Sequence, residues 1–348
     1  MAGSHWIRSA LSPRELDEDD VRSRPGRSTR PRSKQRPAHA DSVAGFVTTV
    51  DRGRITCALS DDPARQVIAV KARELGRKSV AVGDQVGLVG DLSAQTDSLA
   101  RLVKLEERRT SLRRTADDTD PYERVIVANA DQMGIVVALA DPPPRVGLID
   151  RCLVAAYDAG VEPLLILTKS DLASPDALLE SYRALDVRAV ETQRGDQVAS
   201  IAEILRDKIT VLVGHSGVGK STLVNALVPD ADRATGLVNV VTGRGRHTST
   251  SVMALWLPEG GWIVDTPGIR SFGLAHVDPT RVVSAFSDLA GGTDGCPRGC
   301  SHNEPDCGLD AWVAAGHASP ERLESLRRIL RALEEDKSQS KANPSQNQ

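Results

Sequence analysis

At 348 residues the chain exceeds one typical domain, so two or three are expected, and 26% charged with 40% hydrophobic residues describes a soluble globular protein. No apolar run approaches the roughly 18 residues of a membrane span, and the N-terminal stretch lacks the apolar core of a secretory signal. The five cysteines, three of them crowded into residues 296–307, suit a reducing cytoplasm and a metal site better than a disulfide framework.

The net charge of −3 conceals an asymmetry. Residues 21–40 hold Arg22, Arg24, Arg27, Arg30, Arg32, Lys34 and Arg36 and no acid, a local +7, which leaves −10 on the rest of the chain. Three prolines in that stretch and no apolar periodicity predict a disordered basic arm over 1–40. Its charge fits either contact with nucleic-acid phosphates or a solvated tail with no partner.

Residues 41–110 form a series of short apolar runs: Val43–Val50, Ile55–Leu59, Val67–Val70, Val86–Val89 and Ala100–Leu105, separated by turns such as Asp51-Arg52-Gly53. Five strands in this span fit a small barrel, either an oligonucleotide-binding (OB) fold or an SH3-like one. Phe46 is the only aromatic residue there, which argues against a base-stacking platform. RNA contact through this region would use Arg52, Arg54, Lys71, Arg73, Arg77 and Lys78 on backbone and shape.

From 111 to 285 strands and helices alternate. Met133–Leu139 and Pro163–Leu167 are continuous apolar runs, as buried parallel strands are, and Ile149–Ala156 reads as the crossover helix. The second run ends in Thr168-Lys169-Ser170-Asp171, similar to the Asn-Lys-x-Asp guanine motif. The Asp171 carboxylate suits guanine, whose N1–H and exocyclic amine it can accept together, whereas adenine would leave it unpaired. Thr168 has no amide, so a side-chain tie to neighbouring loops is expected to be weaker than with Asn. A base-contacting loop is expected near Glu191–Gly195.

Next comes Gly214-His215-Ser216-Gly217-Val218-Gly219-Lys220-Ser221, which fits G-x-x-x-x-G-K-[ST] between an apolar run (Ile209–Val213) and a helix start that includes Thr222. Its glycines let successive N–H groups turn onto a phosphate, and the helix N-terminus adds partial positive charge. Lys220 is expected at the β- and γ-phosphates and the Ser221 hydroxyl at Mg²⁺. Downstream, Gly243–Thr250 is polar and hydroxyl-rich, a natural switch segment in which Thr248 or Thr250 supplies a Mg²⁺-binding hydroxyl. Asp265-Thr266-Pro267-Gly268 closes a strand and fits a Mg²⁺-assisting Asp followed by a γ-phosphate glycine. The next residue is Ile269, which cannot orient water. His247 is the candidate for that task, or else it contacts RNA beside Arg244 and Arg246.

Cys296, Cys300, His302 and Cys307 supply three thiolates and an imidazole within twelve residues, the ligand set of a closed structural Cys₃His zinc site. His317 reads as a surface residue. Ser319-Pro320-Glu321 begins a helix whose stripe of Leu323, Leu326, Ile329, Leu330 and Leu333 is expected to pack on a small zinc-binding helical domain over 286–335, with 336–348 a disordered tail.

The guanine motif precedes the phosphate loop, the reverse of ordinary GTPases, so the domain is circularly permuted. A five-strand barrel before it and a Cys/His cluster after it complete the pattern. Over residues 41–335 the chain resembles the small-ribosomal-subunit-dependent GTPase family RsgA, also called YjeQ. The likeness rests on Gly-His-Ser-Gly-Val-Gly-Lys-Ser, Gly-Arg-Gly-Arg-His-Thr, Asp-Thr-Pro-Gly-Ile-Arg and Cys-x3-Cys-x-His-x4-Cys. The chain departs from it in Thr168 and in a tighter cysteine spacing. The resemblance implies an α/β fold with an OB barrel and a zinc domain, and GTP hydrolysis in the cytoplasm by a monomer. It further implies engagement of the maturing 30S subunit and its 16S rRNA, with turnover stimulated by the subunit. A phosphate-loop ATPase or small-molecule kinase is the competing reading, against which Asp171 and Asp-x-x-Gly argue. An RNA-binding scaffold that barely hydrolyses its nucleotide is a third.

Overall fold

The computed structural model describes residues 39–51, 53–76, 78–95, 98–115, 123–195, 198–229, 252–266 and 277–342, with side chains omitted at 114, 115, 123, 124 and 335–342. The basic arm through residue 38, and the segments that hold His247, Thr248, Thr250, Gly268 and Ile269, lie outside the described residues.

Alternating apolar residues build the first unit. Strands β1 (Val43–Asp51), β2 (Arg54–Leu59), β3 (Gln66–Lys71), β4 (Gln85–Gly90) and β5 (Ala100–Leu105) turn Val47, Ile55, Cys57, Val67, Ala69, Leu88 and Leu102 inward to one core. The strand order β1-β2-β3-β5-β4 closes because β4 also pairs with β1. The β3–β5 pairing is parallel and the rest antiparallel. That crossover is the OB arrangement, not an SH3-like succession of antiparallel neighbours. A hairpin of β6 (Ser111–Thr115) and β7 (Glu123–Ala128), which no run in the sequence had marked, follows.

The next elements are β8 (Gln132–Ala138), α1 (Val146–Ala159), β9 (Glu162–Thr168), α2 (Asp176–Tyr182), β10 (Arg188–Thr192), α3 (Ala199–Leu205), β11 (Ile209–Val213), α4 (Lys220–Leu227), β12 (Met253–Trp256) and β13 (Trp262–Asp265). Strands β10-β9-β8-β11-β13 run parallel in that order, and β12 lies antiparallel at their side. The period of two decides which face each residue serves. Met133, Ile135 and Val137 of β8 face α1, while Val136 and Ala138 face α3 and α4. Buried on both sides, β8, β9 and β11 are largely apolar, which is why they were visible as continuous runs.

Two sets of contacts fix the barrel to this sheet. Thr49 of β1 pairs with Met253 of β12, and Phe46 stacks on Trp262 at 4.3 Å and 14°. Trp256 in turn meets Trp262 edge-on at 5.0 Å. Asn129, held at φ +57, donates from Nδ2 to Gly83 O at 2.9 Å and accepts the Arg109 N–H on Oδ1 at 2.8 Å.

The C-terminal part comprises α5 (Pro279–Ser284), α6 (Ser287–Ala290), α7 (Gly308–Ala314) and α8 (Pro320–Ala342). Ser319 caps α8, its hydroxyl accepting the Arg322 N–H at 3.2 Å. The α8 stripe packs on more than the expected small domain, whose Leu289 and Leu309 lie in its core. Leu323, Leu326, Ile329, Leu330 and Leu333 share one core with Leu153 and Val154 of α1, and α8 lies along α1. The reason is supply: α7 and the cysteine loop offer too little apolar surface for five large side chains. The tail is corrected. Residues 336–342 continue the helix, because no Gly or Pro interrupts the chain before Pro344.

Candidate functional site

The phosphate loop leaves β11 and enters α4. Gly214 sits so close to β8 that a Cβ there would lie 2.4 Å from Val136 O, so only glycine fits. Lys220, first residue of α4, donates from Nζ to Gly214 O at 2.6 Å. Burial lowers its pKa, and Asp265 pulls the other way. Asp265, at the end of β13, has its own pKa raised by burial and opposed by Lys220. A carboxylate and an ammonium thus share one half-buried corner. Thr266 anchors the turn after Asp265 by donating its hydroxyl to Leu212 O at 2.8 Å. Ser216, Gly217, Ser221 and Thr222 are exposed, Val218 is buried, and His215 Nδ1 lies 2.9 Å from Ser216 O.

The guanine motif lies beside this loop because β9 and β11 both flank β8. Thr168 makes a side-chain tie to the phosphate loop without an amide. Its hydroxyl donates to Val218 O at 2.6 Å and lies 3.4 Å from Val137 O, and the side chain is buried. A hydroxyl is shorter than an Asn amide, but the end of β9 comes close enough to Gly219 that a Cβ there would sit 3.7 Å from Thr168 Oγ1. Lys169, at φ +58, donates from Nζ to Asp141 O. The Ser170 N–H reaches Thr192 O at 3.4 Å, which sets the beginning of the 191–195 loop beside the motif. Asp171 is exposed. Sequence reasoning missed the loop Asp141–Arg145 after β8, which receives Lys169 and whose Pro142 abuts Gly217. Only its run of three prolines hinted that it was special.

In the C-terminal part the donor atoms of Cys296, Cys300, His302 and Cys307 all lie within 4.8 Å of one another. A tetrahedral thiolate–imidazole site with metal–sulfur bonds of ~2.3 Å and metal–nitrogen bonds of ~2.0 Å has S–S edges of about 3.8 Å and S–N edges of about 3.5 Å. Cys296 Sγ and Cys307 Sγ are 3.8 Å apart, and they stand 3.5 and 3.6 Å from His302 Nδ1. The fourth donor, Cys300, accepts the His302 N–H on Sγ at 3.3 Å. Burial lowers the His302 pKa, which favours the neutral ring that a ligand needs. Burial also pushes the Cys300 thiol up to about 12 and raises Cys307. A bound cation would offset that cost of ionising Cys300 and Cys307. The residues therefore fit a closed four-ligand metal site with no open position. His317 stays outside it, exposed and stacked on Trp312 at 4.0 Å.

A phosphate loop, a strand-end Asp and a Lys-x-Asp loop gathered at one edge of a parallel sheet, in permuted chain order behind an OB barrel, define a circularly permuted phosphate-loop GTPase. The comparisons agree. Residues 105–275 match the family model described as RsgA GTPase. The small ribosomal subunit biogenesis GTPase RsgA of Chlorobaculum parvum is 34% identical over 309 residues, which cover 85% of this chain and 99% of that protein. The crystal structure of YjeQ from Thermotoga maritima matches with a TM-score of 0.62 at 26% identity, covering 84% of this chain and 98% of that one. That of YloQ, a circularly permuted GTPase, shares the fold at 24% identity and a TM-score of 0.61, over 86% and 98% of the two chains. The chain belongs to the RsgA family of GTPases. Among the described residues, no helix is long and apolar enough to cross a membrane.

Proposed function

We propose that this chain hydrolyses GTP to GDP and phosphate as a cytoplasmic monomer in late maturation of the 30S subunit, and that the subunit and its 16S rRNA stimulate turnover. One observation carries the nucleotide reading: Thr168 Oγ1 lies 2.6 Å from Val218 O, so the guanine motif and the phosphate loop are fastened into one site. The relatives' name supplies the subunit as partner.

In this reading Lys169, Ser170 and Asp171 take the base, with Asp171 accepting both guanine donors. Residues Gly214–Thr222 wrap the phosphates, and Lys220 leaves Gly214 O for the β- and γ-oxygens. Ser221, Asp265 and a switch threonine (Thr248 or Thr250) would hold Mg²⁺, which when bound neutralises charge developing on the phosphates. Gly268 meets the γ-phosphate, and His247 orients water where Ile269 cannot. The Cys₃His cluster holds one zinc as a structural ion, since its edges and donor set are those of zinc and no position is left for a substrate. The parts are the arm at 1–40, barrel at 41–110, GTPase domain at 111–285 and zinc-binding domain from 286.

The test is guanine specificity and stimulation measured together. Asp171→Asn should lose its preference for GTP over ATP, with xanthosine nucleotides restoring binding, because the swapped amide matches the second carbonyl of xanthine. Turnover of the unaltered chain should be slow alone, at roughly 10⁻⁴–10⁻² s⁻¹, and rise on adding small subunits. Unchanged GTP affinity in Asp171→Asn overturns the base assignment, and turnover indifferent to subunits overturns the partner.

A further inference from the structure

We propose that Arg327 is a positioning residue of the metal centre: from α8 its guanidinium braces the backbone of two of the four donors and sets how tightly the cluster holds its ion. The inference rests on the metal reading above.

The geometry is a three-way fork. Nε donates to the carbonyl of His302 at 2.8 Å, while Nη1 and Nη2 donate to the two oxygens of Asp310 at 3.0 and 2.7 Å. Asp310 lies in the first turn of α7, and the N-cap of α7 is Cys307. One side chain therefore ties down His302 through its own carbonyl and Cys307 through the helix it begins. These two ligands have Nδ1 and Sγ 3.6 Å apart, already at metal-site spacing. His302 also holds φ +67, a conformation few side-chain-bearing residues adopt unless something fixes them. Arg327 supplies that constraint at the carbonyl.

Charge points the same way. Three thiolates, one neutral imidazole and a divalent cation sum to −1, and the Glu304 carboxylate, which accepts the Ser301 N–H at 3.0 Å, adds another. Half-buried negative charge needs a cation nearby, and the Arg327 side chain is only 18% exposed. Its pKa is raised, first by Asp310 and also by Cys307. The two other arginines of α8 whose partners are inward do a different job. Arg322 binds Asp288 and Ala184 O, and Arg328 meets Asp150 and Ser181 O. Only a planar fork makes three bonds in one plane, so lysine would keep the charge and lose the brace.

The experiment uses the full chain with zinc as the probe and a chromophoric chelator as competitor. Removing outer-shell partners of a metal ligand typically costs 10- to 100-fold in affinity. Arg327→Met should show a loss in that range, and Arg327→Lys and Asp310→Asn smaller losses, with the absorption bands of the cobalt-loaded chain shifted in each. A residue that merely packs α8 would lower the melting temperature equally with and without metal and leave chelator competition untouched. Unaltered zinc affinity in Arg327→Lys and Asp310→Asn, should Arg327→Met not fold, or in all three if it does, overturns the inference alone. An unaltered chain that binds no zinc overturns the metal reading and this inference with it.

Discussion

At the scale of single residues, the nucleotide site depends on a substitution that looks like a loss. The Asn of Asn-Lys-x-Asp is Thr168 here, yet the hydroxyl makes a short bond to Val218 O inside a buried contact. A buried carbonyl deprived of its donor costs about 1–3 kcal/mol. Thr168→Val keeps the shape and removes the donor, so thermal stability should fall by about that amount, and GDP and GTP affinities should fall together because the bond joins the base loop to the phosphate loop. Thr168→Ser should restore both. Calorimetric titration alongside a melt checks this, and a valine variant with wild-type affinity would show that the hydroxyl does not position the site.

Among the elements, the barrel and the parallel sheet are joined by aromatic stacking more than by backbone pairing. Among the described residues their strand contact is the single pair Thr49 and Met253, whereas Phe46 stacks on Trp262 and Trp256 meets that ring edge-on. Phe46 is 4% exposed, and truncating a buried phenylalanine costs about 3–5 kcal/mol. Phe46→Ala should therefore lower stability by that order and raise protease sensitivity between residues 105 and 130, detectable by limited proteolysis. A change of under about 1 kcal/mol would mean that the junction is held by other contacts. The same residue shows what the sequence makes legible. That Phe46 is the barrel's one aromatic was plain, and so was its unsuitability for stacking bases, because that is composition. Its actual partner, Trp262, lies over 200 positions away and carries no local signal. The apolar strands, the phosphate loop and the cysteine cluster were readable because each is a local pattern with a period or a spacing. The Asp141–Arg145 loop, the hairpin of β6 and β7, and Arg327 were not, since their meaning lies in polar contacts between distant segments.

For the molecule as a whole, α8 decides how far the metal site reaches. The sequence suggested that its stripe packs on a small domain, but the helix also shares its apolar core with α1. Its arginines extend the grip. Arg328 lies over the Tyr182 ring and beside the buried Asp150, whose Oδ1 also accepts the Tyr182 hydroxyl at 2.9 Å. Arg322 donates to Ala184 O at 2.7 Å and Arg328 to Ser181 O at 3.0 Å. Segment 181–184 closes α2, and α2 follows the guanine motif directly. A metal bound by residues 296–307 would therefore stabilise, through Arg327 and α8, a stretch of the GTPase domain that runs back towards Asp171. Because binding to the folded state alone adds stability by mass action, stripping the ion should lower protection across this connected unit and not in the loop only. Hydrogen exchange with and without chelator should show loss of protection in α8 and α1 and at residues 181–184, a smaller change at 168–172, and none in β1–β5. GDP affinity should weaken by no more than a few-fold, since Val218 of the phosphate loop packs in a different core cluster from α8. Exchange that quickens only between residues 291 and 317 would mean that α8 insulates the GTPase domain from the metal rather than linking the two.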